Sequence, residues 1–223
     1  THSPYTAPNY PRNKLKGEQL ITVILVRHGE TDWNQIRRIQ GGNSDTQLNK
    51  RGKQQAESVA SRLKQEAIQA IYSSPLQRAL NTAQAIARHH QVEVKIDPAL
   101  KEIDAGELEG TTISDIGKRL DELLVSEAEG KPIFKTYGGE SLAEVQQRLW
   151  SIIQHLVSQH RDGVIVVVSH YFAILTIICS VLNLPLSQIG RLRLGPGSIS
   201  TIVFDEQATR LVLFNDTCHL VST

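Results

Sequence analysis

From about residue 20 onward the chain alternates short runs of β-branched apolar residues with longer stretches whose apolar positions recur every three or four residues. The first pattern predicts strands at 21–26, 69–73, 92–96, 164–168, 199–204 and 210–214. The runs 21–26 and 164–168 are apolar without alternation, as expected of strands covered by helices on both faces. The second pattern predicts helices. Ala56, Val59, Ala60, Leu63 and Ala67 share one helical stripe with Asn49 as N-cap. Pro75 fits a first helical turn ahead of Leu76, Ala79, Leu80, Ala83, Ile86 and Ala87. Ser141 and Glu144 stand at capping-box spacing before Leu142, Val145, Leu149, Ile152, Ile153 and Leu156. The run YFAILTIICSVLNLPL, between His170 and Pro185, is shorter than the roughly 20 residues that span a bilayer and reads as a buried helix. The stretch 105–140 is less regular and reads as an excursion over the sheet, holding a helix near 113–125. Strands alternating with helices predict an α/β three-layer sandwich, a mostly parallel central sheet with helices on both faces.

Composition narrows the class. With 223 residues, 40% hydrophobic and 21% charged, the chain has enough apolar residues for one globular domain, read as 19–223. Residues 1–18 read as an extended arm that lacks the apolar segment of a secretory signal. The net charge of +1, from 24 basic and 23 acidic residues interspersed along the chain, predicts no nucleic-acid partner. No membrane segment is predicted either. Cys179 and Cys218 belong to no CxxC or CxxH pattern, which points to a reducing, cytoplasmic setting without structural zinc. Oligomeric state is left open, with a homodimer as one option.

The chemistry-bearing residues cluster by topology. His28 follows strand 21–26 and His170 follows strand 164–168, and in an open parallel sheet both carboxyl ends lie on the edge where ligands bind. Arg27 ends the first strand, Arg78 opens the helix after strand 69–73, and Glu102 and Asp104 follow strand 92–96. Arginine presents planar donors suited to phosphate oxygens, so two imidazoles between two arginines predict phosphoryl transfer.

The segments LVRHGETDWN, SSPLQRALNTA, LKEIDAGELEG, GGESLAEVQQR and VVVSHYFAI, in that order, resemble the successive motifs of the histidine phosphatase superfamily, the phosphoglycerate-mutase-like proteins. The resemblance runs from about residue 22 to 215. It implies that His28 is transiently phosphorylated, that Arg27, Asn34 and Arg78 hold phosphate, that Glu102 is the proton donor, and that His170 is a second imidazole on the phosphoryl group. It also implies a small phosphomonoester as substrate, with no cofactor and no metal. Arg38 and Gln40 match a family stretch near the pocket mouth.

Competing readings are metal binding by two His and a carboxylate, which the arginines oppose, and a non-catalytic phospho-ligand module, which need not keep both His28 and Glu102. His89, His90, His155 and His160 read as solvated, Arg37, Arg38 and Arg51 as surface residues, though Arg38 also falls in the family stretch above, and Glu107 and Glu109 as exposed turn residues.

Three departures from the family pattern matter, and the first and the third favour hydrolysis over mutase activity. Asp104 stands where many members have His, which resembles the α-ribazole phosphatase branch. Tyr171 replaces a common Gly after the late His, keeping a backbone N–H for phosphate. The stretch between Glu102 and Gly139 is short for a large cap. Beyond the last strand, His219 resembles a C-terminal histidine of metal-independent phosphoserine phosphatases, which implies that the tail reaches the leaving-group part of a substrate such as phosphoserine.

Overall fold

The structure, a computed structural model, describes residues 20–112, 114 and 133–220. The expected arm at 1–18 lies outside these residues, as does nearly all of the helix expected near 113–125. Six strands form one sheet in the order β3-β2-β4-β1-β5-β6. They are β1 (Leu20–Arg27), β2 (Ile68–Ser73), β3 (Val94–Ile96), β4 (Gly163–Ser169), β5 (Ile199–Asp205) and β6 (Thr209–Asp216). The first four run parallel, and β5 and β6 add an antiparallel hairpin on one side. With its flanking helices this is the three-layer α/β architecture read from the sequence.

Alternate residues of β1 feed two cores. Val23 and Leu25 pack with α5 (Leu142–Ser158) and α6 (Tyr171–Val181), while Ile24 and Val26 pack with α2 (Lys50–Leu63) and α3 (Gln77–Ala87). That two-sided burial is why β1 and β4 read as unbroken apolar runs. Caps fix the helix starts: Asn49 Oδ1 accepts from Gly52 N at 2.8 Å, and Ser141 and Glu144 complete their capping box. Two short helices, α1 (Asp32–Gln35) and α4 (Ile133–Thr136), lie in the connections over the site edge.

Several boundaries differ from the sequence reading. Helix α2 stops at Leu63, where Glu66 N turns back onto Leu63 O, so Ala67 is exposed and not part of the stripe. Pro75 precedes the helix it was expected to open, because Leu76 is the N-cap and α3 begins at Gln77. Strand β3 is confined to Val94–Ile96 and pairs with β2 alone, an edge position in which Ile96 stays exposed. No helix among the described residues is long and apolar enough to cross a membrane.

The register sets the site. Arg27 is opposite Ser169 in the β1·β4 pairing, so the next residues on these strands, His28 and His170, emerge side by side. Ser74 N donates to Val168 O at 3.1 Å, which places the β2 exit level with them.

Candidate active site

Gly29 lets the chain turn sharply after His28. A Cβ there would lie 2.3 Å from the carbonyl oxygen of Gly52, so any other residue would push the start of α2 away from the sheet edge. The turn also fixes the imidazole. His28 Nδ1 is 2.7 Å from the Gly29 carbonyl oxygen, so Nδ1–H donates and Nε2 keeps its lone pair. Burial, then the charges of Arg78 and Arg27, hold the His28 pKa well below its ordinary value, and the ring is neutral at pH 7.

His170 lies with its ring centroid 5.2 Å from that of His28. Its Nε2 bonds Ser74 Oγ at 2.8 Å, while its buried Nδ1 has no partner. The ring is fully buried, and desolvation, followed by the neighbouring cations, again depresses its pKa. A bound phosphate dianion opposes that depression, since an adjacent negative charge favours imidazolium.

Two guanidinium groups close the centre. Arg78, with no exposed surface, donates to the carbonyl oxygens of Ser44 and, at 3.0 Å, of Gly41. Arg27 donates to Leu194 O and lies 5.0 Å from the centroid of the Tyr171 ring. Burial lowers both pKa values to about 10, so both remain cationic at neutral pH. The Nε of each is buried without a partner. Buried donors without partners are uncommon, and here they leave two fixed positive charges ready for an anion.

Glu102 reaches the same centre from the segment after β3. Its Oε1 accepts from Ile103 N at 2.9 Å and Ala173 N at 3.1 Å, and its Oε2 accepts from Phe172 N at 3.1 Å. The last two donors are at the start of α6, the helix that His170 caps. Those bonds favour the carboxylate, but burial of a 5% exposed group outweighs them and raises the pKa.

A cavity of about 520 Å³ opens from this centre. Arg27, His28, Asn34, Gln40, Glu102 and Tyr171 line it, together with Arg37, Arg38 and Arg193 and the apolar side chains of Ile39, Phe134 and Phe172. Asn34 Oδ1 accepts from Thr31 N and Thr31 Oγ1, both at 3.1 Å. Gln40 Oε1 is held by Thr31 and Thr46. The tilted arrangement of two imidazoles and two guanidinium groups can bind a tetrahedral dianion and present one neutral nitrogen to it. Among the described residues no group of three His, Cys, Asp or Glu is placed to hold a metal ion.

Some expectations need correction. His219 does not line the cavity; its Nε2 bonds Gly197 O at 2.9 Å, and Gly197 N in turn donates to the carbonyl oxygens of Arg27 and His28. His219 is therefore tied to the loop that bonds the backbone of the two site residues. Asp104, where many members of the family have His, accepts from Gly106 N at 2.8 Å and is not among the residues that line the cavity. Glu109 is half-buried and not an exposed turn residue, because it accepts from Asn43 N at 3.1 Å and from Ser44 Oγ. Arg37 is exposed, as read, and with the half-buried Arg38 it also lines the cavity. His160 bonds Tyr72 Oη at 3.0 Å, and His90 Nε2 is buried without a partner, so neither ring is fully solvated.

Sequence reasoning passed over Ser74 and Arg193. Ser74 directly follows β2 on the site edge, the same signal that found His28 and His170. Arg193 lies in an irregular segment whose path only tertiary contacts define.

The family model of the histidine phosphatase superfamily, branch 1, matches residues 23–217. Phosphoserine phosphatase 1 of Hydrogenobacter thermophilus is 34% identical over 201 residues, covering 90% of this chain and 95% of that protein. A probable phosphoglycerate mutase GpmB of Proteus mirabilis is 37% identical over 183 residues, covering 82% and 85% of the two chains. Among solved structures, a phosphoserine phosphatase of Entamoeba histolytica in complex with 3-phosphoglyceric acid superposes with a TM-score of 0.81 at 35% identity, covering 90% of this chain and all of that one.

Proposed function

The chain belongs to the histidine phosphatase superfamily and is a phosphatase, and on that premise we propose that residues 19–223 form one catalytic unit that hydrolyses small phosphomonoesters through a phosphohistidine at His28. The observation that carries this reading is the state of the His28 ring, whose Nδ1–H is committed to Gly29 so that Nε2 keeps its lone pair, under the positive charges of Arg78 and Arg27. Nε2 attacks phosphorus as the ester oxygen leaves opposite. Arg27, Arg78, Asn34, the Tyr171 backbone N–H and protonated His170 neutralise the equatorial oxygens.

Glu102 supplies the proton. Its raised pKa favours the acid form needed by the leaving alkoxide, and after departure the carboxylate accepts a proton from the water that attacks phosphohistidine. Three cationic side chains, Arg27, Arg78 and protonated His170, do the charge neutralisation that divalent ions perform elsewhere, so we expect turnover without metal or cofactor. Two unpaired cysteines support a reducing, cytoplasmic setting.

For the substrate we favour a small carboxylate-bearing phosphate such as phosphoserine. The Hydrogenobacter and Entamoeba relatives support that choice, the latter bearing 3-phosphoglyceric acid. The test is phosphate release in excess chelator from phosphoserine, 3-phosphoglycerate, α-ribazole phosphate and p-nitrophenyl phosphate. We expect release by the native protein and none by His28→Ala. Release by His28→Ala at the native rate, or strict dependence on added metal, would refute the proposal.

A further inference from the structure

Gln55 is a polar residue on the buried side of α2, 9% exposed and three residues after Gly52. A buried amide calls for a hydrogen-bond partner, and Gln55 takes one from the turn that carries the nucleophile. Its Oε1 accepts from Glu30 N at 2.7 Å. A backbone N–H can only donate, so the side-chain amide must present its oxygen there.

Glu30 N–H and the Gly29 carbonyl belong to one planar, trans peptide unit. Its carbonyl oxygen takes Nδ1–H of His28 at 2.7 Å, and its N–H, directed the opposite way, goes to Gln55. Turning the unit to find another acceptor for the N–H would carry the carbonyl away from the imidazole. Accepting at the N–H also polarises the carbonyl, which strengthens its bond to Nδ1–H. The helix that bears Gln55 is docked closely on this unit. A Cβ on Gly52 would lie 2.7 Å from Glu30 N, so only glycine lets the first turn of α2 approach so far. Asn49, the cap of α2, donates from its N to Glu30 O and from its Nδ2 to Glu30 Oε1, both at 3.0 Å. The stem of Gln55 packs against Gly197, where an added Cβ would be 3.1 Å from Gln55 Cβ, and Gly197 N bonds the carbonyl oxygens of Arg27 and His28.

Resting on the phosphatase reading, we infer that Gln55 is a positioning residue for the nucleophile: it holds the Gly29–Glu30 peptide so that the His28 proton stays on Nδ1 and the lone pair stays on Nε2, the nitrogen that bonds phosphorus. Without this acceptor the unit turns and the ring divides between its two tautomers. In one of them Nε2 carries the proton and cannot attack. Gln55 is not among the residues that line the cavity, so its loss falls on kcat and not on the binding of phosphate.

The test replaces Gln55 by Met, which keeps the length without the acceptor, and by Glu, which keeps the acceptor. Two-bond ¹H–¹⁵N correlation spectra of protein labelled with ¹⁵N-histidine show which ring nitrogen of His28 is protonated, its signals being identified by their loss in His28→Ala. Native His28 should carry its proton on Nδ1 alone, Gln55→Met should show both tautomers, and Gln55→Glu should return to Nδ1. With p-nitrophenyl phosphate and glycerol 3-phosphate at pH 8, kcat should fall about tenfold in Gln55→Met, as for one lost buried hydrogen bond, with KM within about twofold of native, and most of the loss should be recovered in Gln55→Glu. A merely structural role would lower the melting temperature without moving the tautomer or separating kcat from KM. A proton on Nε2 in the native ring overturns the proposal without need of any variant. So does a purely Nδ1-protonated ring in Gln55→Met, an unchanged kcat beside mixed tautomers, or a Gln55→Glu protein no better than Gln55→Met. Should the native protein hydrolyse no ester, the phosphatase reading falls, and the spectra alone decide the role of Gln55.

Discussion

Replacing Ser74 with alanine removes the one hydrogen-bond partner that the His170 ring has among the described residues, a 2.8 Å contact to Nε2. Both residues are fully buried, so water cannot readily take the place of the hydroxyl. Leaving a buried ring nitrogen unsatisfied costs about 1–3 kcal/mol, with the upper half of that range applying when the ring is imidazolium. At about 1.4 kcal/mol per decade, kcat/KM should fall by roughly 10- to 100-fold, since the charged form is required against the phosphoryl group in the transition state. A purely structural role would lower stability without touching the pH profile. The hydrogen bond favours the charged ring, so its loss depresses the His170 pKa further and moves the alkaline limb of kcat/KM to lower pH. Steady-state kinetics from pH 5 to 9 on the two proteins measures both effects. A Ser74→Ala enzyme within twofold of native, with an unmoved alkaline limb, refutes the reasoning.

Glu102→Gln should slow esters with alkoxide leaving groups about 100-fold or more and p-nitrophenyl phosphate less than about tenfold, because p-nitrophenolate needs little protonation; equal losses in a parallel assay would remove Glu102 as the acid. Glu109→Ala frees Asn43 N and Ser44 Oγ in the loop whose carbonyl oxygens hold Arg78, so KM for phosphate esters should rise by about five- to tenfold, and an unchanged KM would show that the loop holds without it. The depressed pKa values of His28 and His170 mean that the unfolded chain binds protons first as pH falls below the ordinary histidine value of about 6.5, so stability should decline from there towards the folded values. Glu102, whose pKa is raised, acts in the opposite sense, one group against two. Urea midpoints at pH 7 and pH 5 read the balance, and a higher midpoint at pH 5 would contradict it.

The strand exits were legible because hydrophobic pattern and topology together place them: β1 and β4 are buried on both faces, so the charged residues that end them belong to a site and not a core. Arg78 was readable for the same reason. What escaped was set by contacts between segments distant in sequence. Arg193 sits in its irregular segment because Arg27 takes the next carbonyl. Glu109 is drawn inward by a loop 65 residues away in sequence. His219 resembled a site residue from its place in the chain, yet its ring is taken up by the carbonyl oxygen of Gly197 and is not among the residues that line the cavity. Edge strand β3 begins at Val94, two residues later than its alternation suggested, with Val94 opposite Ile71 of β2.

The central claim is that the phosphoryl group passes through His28. Rapid acid-free quenching of the enzyme during turnover of a ³²P-labelled ester, followed by trypsin digestion and mass spectrometry, locates it directly. The account predicts an acid-labile, alkali-stable phosphate on the peptide from His28 to Arg37, carried by His28 itself; label on the peptide containing His170, or on any other, would contradict it.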